Sequence, residues 1–157
     1  LHTNNAAGTF PRLIDLGVNA KTISSAITLA MAQRLVRKLC PVCKKETSIS
    51  FAGASRFEKI LASLPADAQP ENKTNMWIPV GCDKCNKTGY KGRTGVYEAI
   101  RADERIEKVV RENPSGREIE NAARPQGIPN MMQDGILKVL TGITSLEELE
   151  RVINLES

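Results

Sequence analysis

Apolar residues recur at helical spacing toward both ends of this chain and at strand-like spacing only around a polar, cysteine-bearing middle. Residues 1–8 read as a strand end passing into a polar turn. Phe10, Leu13 and Ile14 predict a helix that Thr9 caps and Gly17 ends in the left-handed conformation. Pro11 is compatible only with the first turn of that helix. Asn19 is placed to cap a second helix, with Ile23, Ile27, Ala30 and Met31 on one buried face. From Gln33 the pattern changes, and Arg34–Leu39 suits a continued helix or a short strand. Ser55 predicts the cap of a helix presenting Phe57, Ile60, Leu61 and Leu64 on one side and stopped by Pro65. Residues 65–75 are a loop by composition. Met76–Val80 reads as a strand that Pro79 confines to a sheet edge. Gly89–Gly92 is turn chemistry, and Arg93–Ile100 reads as a strand.

Beyond Ile100 the pattern is helical. Asp103 predicts the cap of a helix through Ile106, Val109 and Val110, ended by Asn113-Pro114. Ser115 and Glu118 form a capping box for a helix reaching Pro125. Asn130 begins another, with Met132, Ile136, Val139 and Leu140 inward and Gly142 as its stop. Thr144 and Glu147 form a second capping box, with Leu146, Leu149, Val152 and Ile153 behind it. The fold class expected is mainly α, with a small antiparallel β-hairpin, Arg34–Leu39 against Arg93–Ile100, whose connection has grown into a cysteine-bearing insertion. The domain reading follows: residues 1–39, then a metal-binding insertion at 40–92, then a strand and helical subdomain at 93–157.

The insertion carries all four cysteines, as Cys40-Pro41-Val42-Cys43 and Cys82-Asp83-Lys84-Cys85, with 38 residues between the pairs. A two-residue gap lets both sulfurs of a pair reach one ion, and two pairs supply the four thiolates of a closed tetrahedral Zn²⁺ shell. Structural zinc is therefore expected on Cys40, Cys43, Cys82 and Cys85. Four protein ligands leave no position for a catalytic water. Two disulfides or two redox dithiols are the alternatives.

Composition alters this picture little. The formal net charge is +4, and aromatic residues make up 4% of the chain. Basic residues without interleaved aromatics make a poor stacking platform, so nucleic acid is not the expected partner. No apolar run in these residues is long enough to span a membrane, and no secretory leader is expected. The opening at Leu1, without Met, reads as a fragment of something longer. No phosphate loop, dinucleotide-binding fingerprint, nucleophile elbow or zinc-protease motif occurs in these residues. His2 is the only histidine. Read from its own residues, the chain is not a self-sufficient enzyme.

Longer stretches carry a resemblance. Leu1-His2-Thr3-Asn4-Asn5-Ala6-Ala7-Gly8 resembles the His box of the secretion ATPases that drive type II secretion and type IV pilus assembly. Ala32–Cys43 is similar to the segment entering their first cysteine pair. Val80–Cys85, Gly89–Arg93 and Tyr97-Glu98 resemble the second pair and its exit. Met132–Gly135 and Gly142–Glu148 resemble their C-terminal helices. The match is weakest from Lys44 to Asn75. The resemblance implies the C-terminal part of a RecA-like P-loop ATPase that is cytoplasmic and peripherally attached to the inner membrane. It further implies a hexameric ring of copies of the chain, docked on an inner-membrane platform protein. ATP and Mg²⁺ would be bound outside these residues, with His2 facing the nucleotide as an auxiliary catalytic group. A tetracysteine element is implied for assembly members, whereas retraction members join the two strands by a short turn. A free-standing zinc-ribbon-like module binding nucleic acid or protein is the alternative.

Overall fold

The computed structural model describes residues 1–49, 54–112 and 114–153, as seven α-helices and four strands. The chain divides into two compact units. One comprises Leu1–Gln33 and Tyr97–Asn130, the other Arg34–Val96 and Met131–Ser157.

The first unit is helical. Helices α1 (Thr9–Asp15), α2 (Ala20–Ala26), α4 (Glu104–Glu112) and α5 (Gly116–Ala123) gather around Ala6, Ala7, Phe10, Ile23, Ala30, Ile100, Ile106, Val110 and Ile119. The caps explain where these helices start. Asn19 accepts the Lys21 N–H, Asp103 accepts those of Arg105 and Ile106, and Ser115 accepts that of Glu118. Each satisfies backbone donors that the first helical turn leaves unpaired. Thr9 does not cap α1. It is the first helical residue, and Gly8 occupies the cap without a side-chain bond.

The apolar face assigned to the second helix is corrected. Helix α2 ends at Ala26, and strand β1 (Leu29–Leu39) follows. Ala30 is buried and Met31 is 58% exposed, the alternation of a strand rather than the stripe of a helix. This also resolves Arg34–Leu39, which belongs to β1. Strand β4 (Tyr90–Arg101) pairs with β1 in a two-stranded sheet. The Cys40 N–H donates to the Gly89 carbonyl at one end, and the Ala102 N–H to the Thr28 carbonyl at the other, so the strands run antiparallel.

The second unit holds β2 (Lys45–Ser48), α3 (Ala54–Ala62), β3 (Asn75–Ile78), α6 (Met131–Leu140) and α7 (Leu146–Val152). β2 and β3 form a second antiparallel pair, with Lys45 opposite Ile78 and Ser48 opposite Asn75. The chain is thus a mixture of helix and two small antiparallel sheets rather than mainly α with one hairpin. Phe57, Ile60, Leu61 and Leu64 are buried, as the periodicity predicts. Ser55 falls inside α3, and its side chain lies outside the described residues, as does Asn113 after α4. In α6 the buried methionine is Met131, with Met132 half-buried. Gly135 lets α7 come close, because a Cβ there would lie 2.4 Å from Leu149 Cδ1.

The cap of α7 lies one residue later than expected and is no capping box, since the Glu148 carboxylate is taken by Arg37 and Arg151. Ser145, not Thr144, accepts the N–H of Glu148. The Thr144 hydroxyl donates instead to the Arg37 carbonyl at 2.8 Å, and the Leu39 N–H donates to the Ile143 carbonyl at 2.8 Å. These bonds stitch β1 to the turn before α7 and bury Thr144 completely.

Candidate metal centre

Two short turns bring the four cysteines together. Cys40 and Cys43 flank a turn that leaves β1, with the Lys44 N–H donating to the Cys40 carbonyl. Cys82 and Cys85 flank one turn of 3₁₀-helix at Asp83–Cys85, followed by Asn86 and Lys87, both at positive φ. The two turns are joined at their base by the Cys40-to-Gly89 bond described above. Gly89 has φ +76°, and a Cβ there would lie 2.4 Å from Pro79 Cβ. Only glycine fits both constraints. A Gly89→Ala chain is expected to lose about 2 kcal/mol of stability, seen as a lowered melting temperature of the metal-loaded protein.

All four sulfurs lie within 4.8 Å of one another. Cys40 and Cys82 are 4.0 Å apart, Cys43 and Cys85 3.8 Å, and Cys82 and Cys85 3.8 Å. A regular tetrahedron with metal–sulfur bonds of about 2.3 Å has edges of about 3.8 Å, so the donor set fits a tetrathiolate ion. All four are free thiols. This is the only group of three or more metal-ligating side chains gathered among the described residues.

The environment is graded. Cys40 and Cys85 are buried, Cys43 and Cys82 half-buried. Burial pushes the Cys85 thiol up, but the N–H groups of Cys82 and Gly89, each 3.2 Å from its sulfur, prevail and bring it down to about 6. Burial dominates at Cys43 and pushes it up to about 11 against the pull of the Gly81 backbone. Backbone donors aimed at a sulfur stabilise the thiolate that a metal requires.

A second polar cluster lies in the same unit. The Glu148 side chain is fully buried and accepts from the Arg37 backbone N–H at 2.9 Å, Arg37 Nε at 2.8 Å, Arg151 Nε at 2.9 Å and Arg151 Nη2 at 2.8 Å. Burial would raise its carboxyl, but the two guanidiniums hold it at about 2. The Arg37 guanidinium also stacks 4.1 Å above the Tyr90 ring, whose hydroxyl lies 2.7 Å from Ser145 Oγ. Tyr90 directly follows Gly89, so the cluster continues the cysteine turns into the cap of α7. Lys44, next to Cys43, donates to the Gly142 carbonyl at 2.8 Å and sits 5.3 Å from the Trp77 ring. Nothing local in the sequence marks Glu148 for this role. Its neighbour Arg151 looks like an ordinary surface partner, and Arg37 lies 111 residues away.

His2 belongs to the first unit. It is exposed in the irregular segment before α1 and hydrogen-bonds to no described residue. The segment behind it is held firmly. The Ala6 N–H donates to Glu98 Oε1, Asn5 Nδ2 donates to Glu120 Oε1 at 2.6 Å, and the Gly8 N–H donates back to Asn5 Oδ1. Burial, then the charge of Glu98, raise the Glu120 carboxyl. No described helix is long and apolar enough to cross a membrane.

Residues 1–151 match the family model described as type II/IV secretion system protein. The type IV pilus assembly ATPase PilB of Pseudomonas aeruginosa is 40% identical over 155 residues, covering 97% of this chain and 25% of that protein. The type II secretion system protein E of Aeromonas hydrophila is 39% identical over 152 residues, covering 97% and 28%. A PilB from Thermus thermophilus is 35% identical over 149 residues, covering 95% and 16%. The chain therefore spans about a quarter or less of the length of these relatives. The likeness runs from the segment at Leu1-His2 through both cysteine pairs to α7, and the chain belongs to the type II/IV secretion system protein family.

Proposed function

We propose that this chain is the C-terminal region of a cytoplasmic, hexameric ATPase that powers type IV pilus assembly or type II protein secretion. In this reading Cys40, Cys43, Cys82 and Cys85 hold one structural Zn²⁺, and residues 40–92 are the zinc-binding insertion. The observation that carries it is coverage. Relatives named as a type IV pilus assembly ATPase and a type II secretion system ATPase align with 97% of the chain, in order. The sulfur spacing supports the metal, because the donor set matches a closed tetrahedral shell. Bound there, zinc would supply no chemistry beyond holding the two turns together. ATP and Mg²⁺ would bind in parts of the parent protein outside these residues, and the partner would be an inner-membrane platform protein.

His2 is assigned an auxiliary role beside the nucleotide, where an imidazole N–H can donate to a phosphate oxygen as charge develops. Asn5 and Ala6, tied to Glu120 and Glu98, would fix the segment that presents it. The test is ATP turnover. The isolated chain is expected to release no phosphate above background, whereas the full-length protein hydrolyses ATP. His2→Ala in the full-length protein should lower kcat about 10²-fold with little change in nucleotide affinity. Turnover by the isolated chain would overturn the reading, as would an unaffected His2→Ala enzyme for the residue's role.

A further inference from the structure

Charge is segregated around the metal turns. Residues 34–48 and 77–96 carry nine of the 22 basic residues of the chain and only two of its 18 acidic ones, so the remainder is net acidic. Of the nine, Arg37 is taken by Glu148, Lys44 by the Gly142 carbonyl and Lys87 by Asp83. The other six are Arg34, Lys38, Lys45, Lys84, Lys91 and Arg93. All are exposed, and their side chains make no ion pair or hydrogen bond among the described residues. Four large apolar side chains of these stretches are exposed, Leu35, Val42, Ile78 and Val80, and the two valines flank the cysteine turns. Val42, between Cys40 and Cys43, is 68% exposed, and Val80, two residues before Cys82, is 60% exposed. All of these positions lie in one unit, on the metal turns or on the strand ends and linkers beside them.

Unpaired cations around exposed apolar tips form a recognition surface when something anionic and partly apolar meets them. Nucleic acid is a poor fit. Trp77 lies against Lys44 and Gly142, and Tyr90 lies beneath Arg37, so neither ring is presented for base stacking. A lipid surface fits less well than a protein, because the exposed apolar side chains beside the cysteine turns are valines rather than Trp, Phe or Leu. We propose that the surface formed by the two metal turns, with Val42 in the first, Val80 at the entry to the second, and Lys38, Lys84, Lys91 and Arg93 in the flanking stretches, docks an acidic, apolar-containing segment of a partner protein. The proposal rests on the metal reading above, since the two turns present one surface only while closed on each other.

The experiment uses the whole chain, loaded with zinc, and a fluorescently labelled peptide that alternates glutamate with leucine, followed by anisotropy. Binding is expected to weaken about tenfold on raising salt from low to well above physiological strength. A Lys84→Glu, Arg93→Glu double variant should weaken it about tenfold at low salt, and Val42→Ser by about threefold. Both variants should keep one zinc per chain and the parent melting temperature. That separates failure of docking from failure of the metal reading, which would appear as lost zinc. Equal binding of a glutamine-for-glutamate peptide would overturn the proposal. So would retained affinity in the double variant, or binding to phosphatidylglycerol vesicles with none to the peptide.

Discussion

Removing the metal with a strong chelator is expected to open both cysteine turns and expose residues 40–44 and 80–90 to protease, while α4 and α5 stay protected. The size of the effect follows from what else holds these turns. Within residues 40–44 and 80–90 the buried apolar side chains are those of Cys40 and Cys85 alone. Segment 44–81 is held by the β2–β3 pair and by buried Phe57, Ile60, Leu61 and Leu64, so the dependence on metal falls on the cysteine turns themselves. Structural zinc binding is worth about 10–16 kcal/mol in small zinc modules, comparable to the whole stability of a domain at about 5–15 kcal/mol. Cys85→Ser should act like the chelator, because it removes the sulfur that both backbone donors serve. Limited proteolysis read by mass spectrometry gives the cut sites. Cuts confined to the chain ends would contradict the structural role.

Loss of the buried carboxylate should also destabilise the second unit, by less. Glu148→Ala is expected to cost about 3 kcal/mol, with Glu148→Gln intermediate. The alanine chain leaves the Arg37 backbone N–H without its acceptor and separates α7 from β1. The side chains of Arg37 and Arg151 are 43% and 60% exposed, so water can take up their charges, and the cost falls short of a fully buried charge. The pH dependence has a definite sign. Folding lowers the Glu148 carboxyl from 4.5 to about 2. The unfolded chain therefore binds the proton first as pH falls. The pair contributes its stability, about 3 kcal/mol, fully above pH 4.5 and loses it between pH 4.5 and about 2. Between pH 6 and 8 it contributes no slope. Urea titrations of the parent and Glu148→Gln chains should differ by a constant amount at neutral pH and converge in acid. A difference that persists at pH 2 would contradict this assignment.

What could be read in advance was local. Asn19, Asp103 and Ser115 cap helices because one side chain and a fixed spacing suffice, and each does so in the structure. The cysteine pairs were equally legible, because two-residue gaps constrain where sulfurs can go. What was illegible depends on distant partners. β2 is Lys-Glu-Thr-Ser, with no apolar alternation, and its strand form comes from pairing with β3. Thr144 and Ser145 are equivalent as caps on paper. The Arg37 carbonyl, far away in sequence, claims the first and leaves the cap to the second. The apolar run through Met31 matches a helical stripe until β4 pairs with it. Glu98 and Glu120, which hold the segment behind His2, carry no local mark of that role.

Zinc K-edge X-ray absorption of the purified chain, with the metal counted by mass spectrometry, tests the central claim most directly. One zinc per chain is expected, surrounded by four sulfurs at about 2.3 Å with no oxygen or nitrogen neighbour. A folded chain with no metal, or a shell containing fewer than four sulfurs, would contradict it.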